Sequence, residues 1–238
     1  MKIGLTYMTD TVTDAWEFLY DALCRQAEDG MRASSRDGDV VGEILNATAI
    51  INDPTRFIVN SPLRKMSMRY AMGEFLWYLS RNNKLNAIQP YTSAWDRMSD
   101  DGVTVNSNYG HRIFEYFGFD QFEYVEKCLR EDPNSRQAVI HIRDPKDYIE
   151  EPTKDMPCTL TLQFFIRDEK LHLIANMRSN DIWTGFPYDV FNFCAIQNLL
   201  AMRLNIPVGT YIHNAGSLHL YERNYRDANK KSNAETVG

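Results

Sequence analysis

The sequence predicts an α/β (α+β) fold, because strand-like segments and amphipathic helices follow one another along 238 residues. Residues 159–166 and 171–177 are rich in β-branched and aromatic side chains, and the polar turn 167–170 between them indicates a β-hairpin. From Val190 to Leu204, apolar residues recur at spacings of three and four, which is typical of a largely buried helix. The length suits one substantial domain, so we expect residues 1–238 to form a single domain.

The segment before the hairpin contains three more helix patterns, each with apolar residues on one face. The first is expected to stop near Gly30, and the second is bounded by serines. A polar loop, 34–39, precedes the first long strand pattern. The predicted elements outside the hairpin region are helices 14–27, 67–80 and the segment from Phe122 to Leu129, and strands 43–51, 138–142 and 210–212.

Composition and charge favour a soluble globular protein that binds small molecules. Hydrophobic residues make up 44% and charged residues 24% of the chain, and the formal net charge of −6 argues against a general binder of nucleic acid. The four cysteines show no CxxC pair or zinc spacing, so we expect thiols in a reducing compartment and no metal site. No apolar run is long enough to cross a bilayer, and we expect a cytoplasmic protein with no membrane partner.

Three residues whose side chains suit catalysis or binding lie close to the ends of the predicted hairpin and of the predicted buried helix. Cys158 precedes the first hairpin strand, Arg178 follows the second, and Asp189 precedes the helix pattern. Folding of this stretch is therefore expected to bring them around one pocket. A lone cysteine is more often structural, and an aspartate before a helix can simply cap that helix. A structural role and a functional role therefore both stay open for Cys158 and for Asp189.

The surrounding motifs resemble the thymidylate synthase superfamily in order and spacing, over most of the chain. They are Pro157-Cys158, Arg178-Ser179-Asn180-Asp181, Gly185-Phe186-Pro187 and Gly216-Ser217-Leu218-His219-Leu220-Tyr221. Thr159, the segment 176–181 and Asp189 are similar to the phage deoxycytidylate hydroxymethylase branch, whereas thymidylate synthases usually carry histidine after the cysteine and asparagine at the position of Asp189. The resemblance implies a catalytic domain with a mixed sheet and flanking helices, and a homodimer formed through the sheet.

The same resemblance assigns roles to residues that their local sequence alone leaves ambiguous. Glu74 and Tyr109 would manage protons and water, and Trp95 and Asp181 would face methylenetetrahydrofolate, the implied cosubstrate. The implied contacts of a nucleotide monophosphate are Arg36, Arg136, Arg178 and Ser179 for phosphate, and His219 and Tyr221 for the sugar. Without the resemblance, Glu74 could be a surface residue, Trp95 a core residue, and Arg36 and Arg136 loop charges.

Arg136 has a further implied role at the dimer. In the family, this arginine loop reaches the phosphate bound by the partner subunit. A second arginine usually follows, but this chain has Gln137.

The chemistry explains why cysteine and a carboxylate suit this site. A thiolate that adds to ring carbon 6 of a pyrimidine makes carbon 5 nucleophilic, so Cys158 is the candidate nucleophile, and a guanidinium such as Arg178 would favour the thiolate. Asp189 can accept a hydrogen bond from the exocyclic amine of cytosine, whereas an ionised carboxylate repels the carbonyl of uracil. If Asp189 shares a proton with ring nitrogen 3, it also helps the ring accept charge.

The resemblance therefore implies conversion of dCMP to 5-hydroxymethyl-dCMP, with methylenetetrahydrofolate and water, in phage DNA modification and, for a phage-encoded chain, in the host cytoplasm. Three alternatives stay open. They are a C5-methyltransferase acting on dCMP or dUMP, a hydroxymethylase acting on CMP, and a non-catalytic nucleotide-binding relative.

Overall fold

Helices and strands alternate along the computed structural model, which describes residues 2–35, 37–148 and 153–225. The chain divides into two compact units. The first consists of residues 1–66, 177–194 and 210–238, and the second of residues 67–176 and 195–209. That residues 1–238 form a single catalytic domain stays a prediction.

The first unit is a mixed sheet with helix α1 (Val12–Glu28) packed on it. Strand β1 (Lys2–Thr9) pairs parallel with β3 (Gly38–Ile51), and β3 pairs antiparallel with β8 (Val208–Tyr221). Two short strands extend it: β2 (Ala33–Ser35) pairs antiparallel with β3, and β7 (Asn180–Asp181) pairs parallel with β8. Both pairing directions occur here, as the mixed-sheet prediction required.

Helix α1 lies against β3 because glycine at position 42 leaves room for its backbone. A Cβ atom at Gly42 would lie 2.5 Å from the carbonyl oxygen of Leu23, so any larger residue would push the helix away. The helix begins two residues earlier than predicted, because the Thr11 side chain accepts a hydrogen bond from the backbone N–H of Asp14 and caps it. The buried face includes Trp16, whose indole N–H donates to the carbonyl oxygen of Ile182.

The second unit combines short helices with three neighbouring strands. Its helices are α2 (Met68–Leu79), α3 (Leu85–Ile88), α4 (Tyr109–Phe114) and α5 (Gln121–Glu131), followed by a 3-10 turn at Pro145–Tyr148. Its strands lie in the order β6 (Lys170–Met177), β5 (Thr159–Arg167) and β4 (Val139–His141). The predicted hairpin is confirmed, and its turn places Asp168 and Glu169 at positive φ, as tight two-residue hairpin turns require.

Helix α6 (Gly185–Leu204) belongs to both units, and its start differs from the sequence prediction. We expected a helix beginning at Val190, but the helix begins five residues earlier, at Gly185, and includes Asp189 in its second turn. Pro187 is compatible with this start because the first turn of a helix does not use its backbone N–H groups. The reading of Asp189 as the residue that caps this helix is therefore wrong. The predicted burial is confirmed at Val190, Phe193 and Leu200.

Within the described residues, no helix is both long enough and apolar enough to cross a membrane. None of the four cysteines, all of them among the described residues, forms a disulfide bond; Cys194 is buried, and Cys24, Cys128 and Cys158 are half-buried.

Candidate active site

Glu74 lies on helix α2 of the second unit and is only 4% exposed, so the surface reading of this residue is wrong. The Tyr70 hydroxyl, one turn earlier, donates to its Oε1 at 2.6 Å. Trp95 Nε1–H donates to the same tyrosine oxygen at 3.1 Å. The hydroxyl of Tyr70 therefore accepts a hydrogen bond from Trp95 and donates one to Glu74, which orients the buried carboxylate.

Trp95 is half-buried and packs edge-on against Trp77, with ring centroids 5.7 Å apart. Its polar edge is held by Tyr70, so the orientation of the ring is determined from two sides. The position of Trp95 beside Glu74 was not visible from periodicity, because the two residues are separated by a loop. This arrangement presents a fixed aromatic surface next to a carboxylate.

Cys158 lies immediately before strand β5 and is half-buried. The neighbouring backbone N–H of Thr159 donates to the hydroxyl oxygen of Tyr109 at 3.3 Å. Tyr109 is 8% exposed and is the first residue of helix α4. Two residues predicted to act on the ring, Cys158 and Tyr109, are thus brought to neighbouring positions in the second unit.

A set of buried hydrogen bonds holds the loop before Tyr109 to the segment before Cys158. The Asp155 carboxylate accepts from the Ser107 N–H at 2.7 Å, and the Asn106 side-chain amide donates to the Asp155 carbonyl oxygen at 3.1 Å. Burial raises the pKa of the Asp155 carboxyl, while the hydrogen bonds from Ser107 oppose that shift. These hydrogen bonds therefore connect the two loops directly.

Arg112 supports the same loop from beneath. Its fully buried guanidinium donates to both carboxylate oxygens of Asp147, at 2.7 and 2.9 Å, and to the carbonyl and side-chain oxygens of Asn106, at 2.8 and 2.9 Å. A fifth hydrogen bond goes to the carbonyl oxygen of Ile142. All five N–H donors of the guanidinium are therefore used.

Arg136 lies between helix α5 and strand β4 and is exposed, as is Gln137. The Arg136 carbonyl oxygen accepts from the Gln163 side chain at 3.0 Å, which anchors the backbone of this segment. An exposed guanidinium on an anchored backbone suits the predicted reach to a partner subunit, which stays a prediction.

In the first unit, the segment at Arg178 and Ser179 lies beside β8. The Ser217 N–H donates to the carbonyl oxygen of Arg178, and a Cβ atom at Gly216 would lie 2.9 Å from that oxygen, so glycine permits this close approach. The Ser179 hydroxyl lies 3.5 Å from His219 Nδ1. The side chain of Arg178 is exposed.

His219 and Tyr221 project from the same side of β8, as their spacing predicted, with ring centroids 4.9 Å apart. Burial lowers the pKa of His219, although the nearby Asp181 carboxylate opposes the shift. Burial also raises the pKa of Tyr221. Both side chains therefore offer neutral hydrogen-bonding groups, which suit a sugar hydroxyl better than a phosphate.

Asp181 and Arg36 complete the predicted set. The Asp181 carboxylate accepts from the Trp183 N–H at 2.9 Å and from the Thr184 hydroxyl, which shapes the turn into helix α6. Arg36 lies outside the described residues. The next residue, Asp37, accepts at its carbonyl oxygen a hydrogen bond from the Arg223 guanidinium at 2.6 Å.

Asp189 is half-buried on α6, and its Oδ2 accepts a hydrogen bond from the Asn180 side-chain amide at 2.7 Å. A Cβ atom at Gly185 would lie 2.8 Å from the Asn180 Nδ2 atom and 3.4 Å from Asp189 Oδ2. Glycine therefore allows the helix to begin close enough for this contact.

Tyr70 and Asn180 are residues whose roles the sequence analysis missed. Tyr70 precedes Glu74 by four residues on one helix, a spacing that places side chains on the same face and could have suggested the contact. Asn180 lies inside the Arg178 to Asp181 motif, but nothing local indicates that its amide points at Asp189, nine residues later.

Comparison with known proteins gives relatives of three activities, two hydroxymethyltransferases and thymidylate synthase. The chain is 32% identical over 209 residues to the deoxyuridylate hydroxymethyltransferase of Bacillus phage SP01, an alignment that covers 80% of this chain and 55% of that protein. It is 30% identical over 194 residues to the deoxycytidylate 5-hydroxymethyltransferase of Enterobacteria phage T4, covering 77% of this chain and 76% of that protein. The chain thus spans little more than half the length of the SP01 relative.

The fold matches solved structures and a family model. Thymidylate synthase from T4 phage has a TM-score of 0.75 at 19% identity, covering 92% of this chain and 80% of that chain. Thermostable thymidylate synthase A from Bacillus subtilis has a TM-score of 0.74 at 20% identity, covering 93% and 84%. These likenesses confirm the predicted fold. The thymidylate synthase family model matches residues 19–236, and the chain belongs to the thymidylate synthase family.

Proposed function

We propose that this protein transfers a one-carbon unit from methylenetetrahydrofolate to ring carbon 5 of dCMP and adds water, giving 5-hydroxymethyl-dCMP. The observation that carries the choice of base is the carboxylate of Asp189, which is held by the amide of Asn180 rather than used to cap its helix. A carboxylate that accepts from Asn180 is well suited to accept from the exocyclic amine of cytosine. The same group repels the carbonyl that uracil presents at that position.

The names of the relatives support the addition of water more directly than they support cytosine as the base of the substrate. Both phage relatives described above carry hydroxymethyltransferase in their names, but one acts on deoxyuridylate and the other on deoxycytidylate. Thymidylate synthases match as well, with 28% identity over 168 residues for that of Bacillus subtilis subsp. natto. The base therefore has to be argued from Asp189, and methyl transfer is the second candidate.

The residues present fit methylenetetrahydrofolate. The half-buried Trp95 offers a fixed aromatic surface suited to stacking on a pterin ring, and the Asp181 carboxylate can accept further hydrogen bonds besides those of its own turn. When bound, this cosubstrate supplies the one-carbon unit.

Within the second unit, Cys158 is the proposed nucleophile. Its thiolate would add to ring carbon 6 of the pyrimidine and raise the electron density at carbon 5. Glu74, with its carboxylate oriented by Tyr70, would order the attacking water and accept or return its proton. Tyr109, beside Thr159, would relay protons at the ring.

We further propose that Arg178, Ser179, Arg36 and Arg136 hold the phosphate, and that His219 and Tyr221 hold the sugar. Arg136 would come from the partner in a homodimer, which agrees with its exposure. The proposed setting is phage DNA modification in the cytoplasm of the host.

Mass spectrometry of the nucleotide product tests the proposal. The protein is incubated separately with dCMP, CMP and dUMP, each with methylenetetrahydrofolate. We expect a gain of CH2O on dCMP alone. A gain of CH2 with formation of dihydrofolate would instead establish methyl transfer, preference for dUMP or CMP would refute the proposed substrate, and no product at all would favour a non-catalytic nucleotide-binding protein.

A further inference from the structure

The Asp189 carboxylate belongs to a longer chain of hydrogen bonds, which continues through buried residues of the first unit. Beyond Asn180, the side-chain oxygen Oδ1 of that residue lies 3.1 Å from His213 Nε2. The other ring nitrogen, Nδ1, lies 2.8 Å from the hydroxyl of Tyr211. Asn180 is 3% exposed, His213 2% and Tyr211 0%, so water does not compete for these contacts.

Hydrogen-bonding chemistry allows only one direction for the protons in this chain. An asparagine amide donates from nitrogen and accepts at oxygen, so Asn180, which donates to Asp189, must accept from His213. His213 therefore carries its proton on Nε2 and accepts at Nδ1 from the Tyr211 hydroxyl. Burial lowers the pKa of His213 to about 3, so the ring is neutral and has a single donor, as this arrangement requires.

Close packing leaves these side chains little freedom to rearrange. The Phe186 ring packs edge-on against His213, with centroids 4.9 Å apart. Because Gly185 has no side chain, the side-chain amide of Asn180 can lie next to helix α6. Tyr211 and His213 are two residues apart on β8 and belong to the same rigid strand.

The direction of the chain has a consequence for Asp189. Its Oδ2 faces an N–H group and so serves as an acceptor, because a proton on that oxygen would point at the Asn180 donor. Any proton that Asp189 shares with a base must therefore reside on Oδ1. A carboxylate with one preset acceptor oxygen matches a base edge that offers a donor at one position and a proton-accepting nitrogen beside it, which is the arrangement in cytosine.

We propose that Tyr211, His213 and Asn180 are positioning residues that orient the Asp189 carboxylate and so contribute to the discrimination between cytosine and uracil. This inference rests on the proposed function, in which Asp189 contacts the base. Specificity is then a property of four residues, and the three residues behind Asp189 act without touching the substrate.

The test compares equilibrium binding of dCMP and dUMP, because a Kd ratio does not depend on catalytic competence. Tyr211→Phe removes only the hydroxyl, so His213 can take the other tautomer and Asn180 can turn its oxygen towards Asp189. We expect the preference for dCMP over dUMP to fall about threefold to tenfold, the effect of one neutral hydrogen bond. Asn180→Ala removes the donor to a charged group, and we expect a fall of about tenfold or more.

Tyr20→Phe is the matched control, since Tyr20 is also a buried tyrosine of the first unit but stacks on Trp16 in helix α1. It should leave the binding ratio unchanged. If Tyr211→Phe and Asn180→Ala weaken the binding of dCMP and the binding of dUMP by the same factor, the three residues contribute to stability alone and the inference is overturned. A wild-type preference for dUMP would instead refute the proposed substrate, while a changed ratio in the variants would still support the positioning role.

A measurement on the unsubstituted protein keeps the inference testable if the variants do not fold. The ¹⁵N chemical shifts of the His213 ring report which nitrogen carries the proton. We expect the neutral Nε2–H form. The Nδ1–H form, or a protonated ring at neutral pH, would show that the chain of hydrogen bonds does not run from Tyr211 to Asp189.

Discussion

Removal of the Asp147 carboxylate is expected to destabilise the protein more than any surface substitution. Asp147 is 3% exposed at its side chain and Arg112 is fully buried, and the two form a bidentate ion pair at 2.7 and 2.9 Å. In Asp147→Ala, the guanidinium keeps its bonds to Asn106 and Ile142 but becomes an uncompensated buried charge. Breaking a buried pair in this way costs about 3 to 5 kcal/mol, out of a total of roughly 5 to 15 kcal/mol for a typical protein.

Urea unfolding monitored by circular dichroism measures this loss. The expected loss of stability in Asp147→Ala arises from the burial of the ion pair rather than from its charge alone. The control is therefore Asp21→Ala, which breaks the exposed ion pair of Asp21 with Arg25. The Asp21→Ala midpoint should match that of the unsubstituted protein. Equal midpoints for Asp147→Ala and the unsubstituted protein would refute the reasoning, because they would mean that water reaches the Arg112 guanidinium in the folded state.

The double replacement Arg112→Met with Asp147→Leu separates stability from positioning. It removes both charges, so the free energy of unfolding should recover part of the loss seen in Asp147→Ala. The oxygens of Asn106 and Ile142 that lose the guanidinium limit this recovery. The loop of Asn106 loses its bonds to the guanidinium, so we expect kcat to fall below that of the unsubstituted protein even where stability recovers. Recovery of both quantities together would mean that Arg112 has no part in holding Tyr109 in place.

Four further outcomes follow from the site. Cys158→Ser should abolish the product seen by mass spectrometry while calorimetry still detects dCMP binding; residual turnover near the original rate would contradict the nucleophile assignment. Asp189→Asn should lower the ratio of kcat/KM for dCMP to that for dUMP by about tenfold to a hundredfold, the value of a bidentate base contact, and an unchanged ratio would exclude Asp189 from base recognition. Tyr70→Phe should lower kcat by about tenfold with little change in KM, because it removes one hydrogen bond to the Glu74 carboxylate. If steady-state kinetics showed a raised KM with kcat unchanged, Tyr70 would act in binding instead. The pKa of His213 is about 3 in the folded protein, so between pH 7 and pH 5 this side chain takes up a proton only in the unfolded state. The free energy of unfolding should therefore fall by about 2 kcal/mol as the pH is lowered from 7 to 5. His213→Asn should reduce the measured fall by that amount.

Local patterns were sufficient for most of the helices and strands. Helix α2 runs from Met68 to Leu79, with the Ser67 side chain as its cap, which agrees with the predicted limits within one residue. The hairpin of β5 and β6 was equally clear, because β-branched and aromatic residues on both sides of a polar turn act over short distances along the chain. The start of α6 was misjudged because Gly185 and Pro187 look like turn residues, whereas both are compatible with the first turn of a helix.

The sequence by itself determined the family motifs and the residue types that the chemistry needs, Cys158, Glu74 and Asp189 among them. Only the tertiary structure decided what surrounds each of these groups. Trp95 reaches the tyrosine beside Glu74 across a separation of 25 residues, and His213 reaches Asn180 across 33. Such contacts depend on how strands and loops pack, and no periodicity encodes them. The orientation of a carboxylate is therefore a property of the fold, although the presence of that carboxylate is a property of the chain.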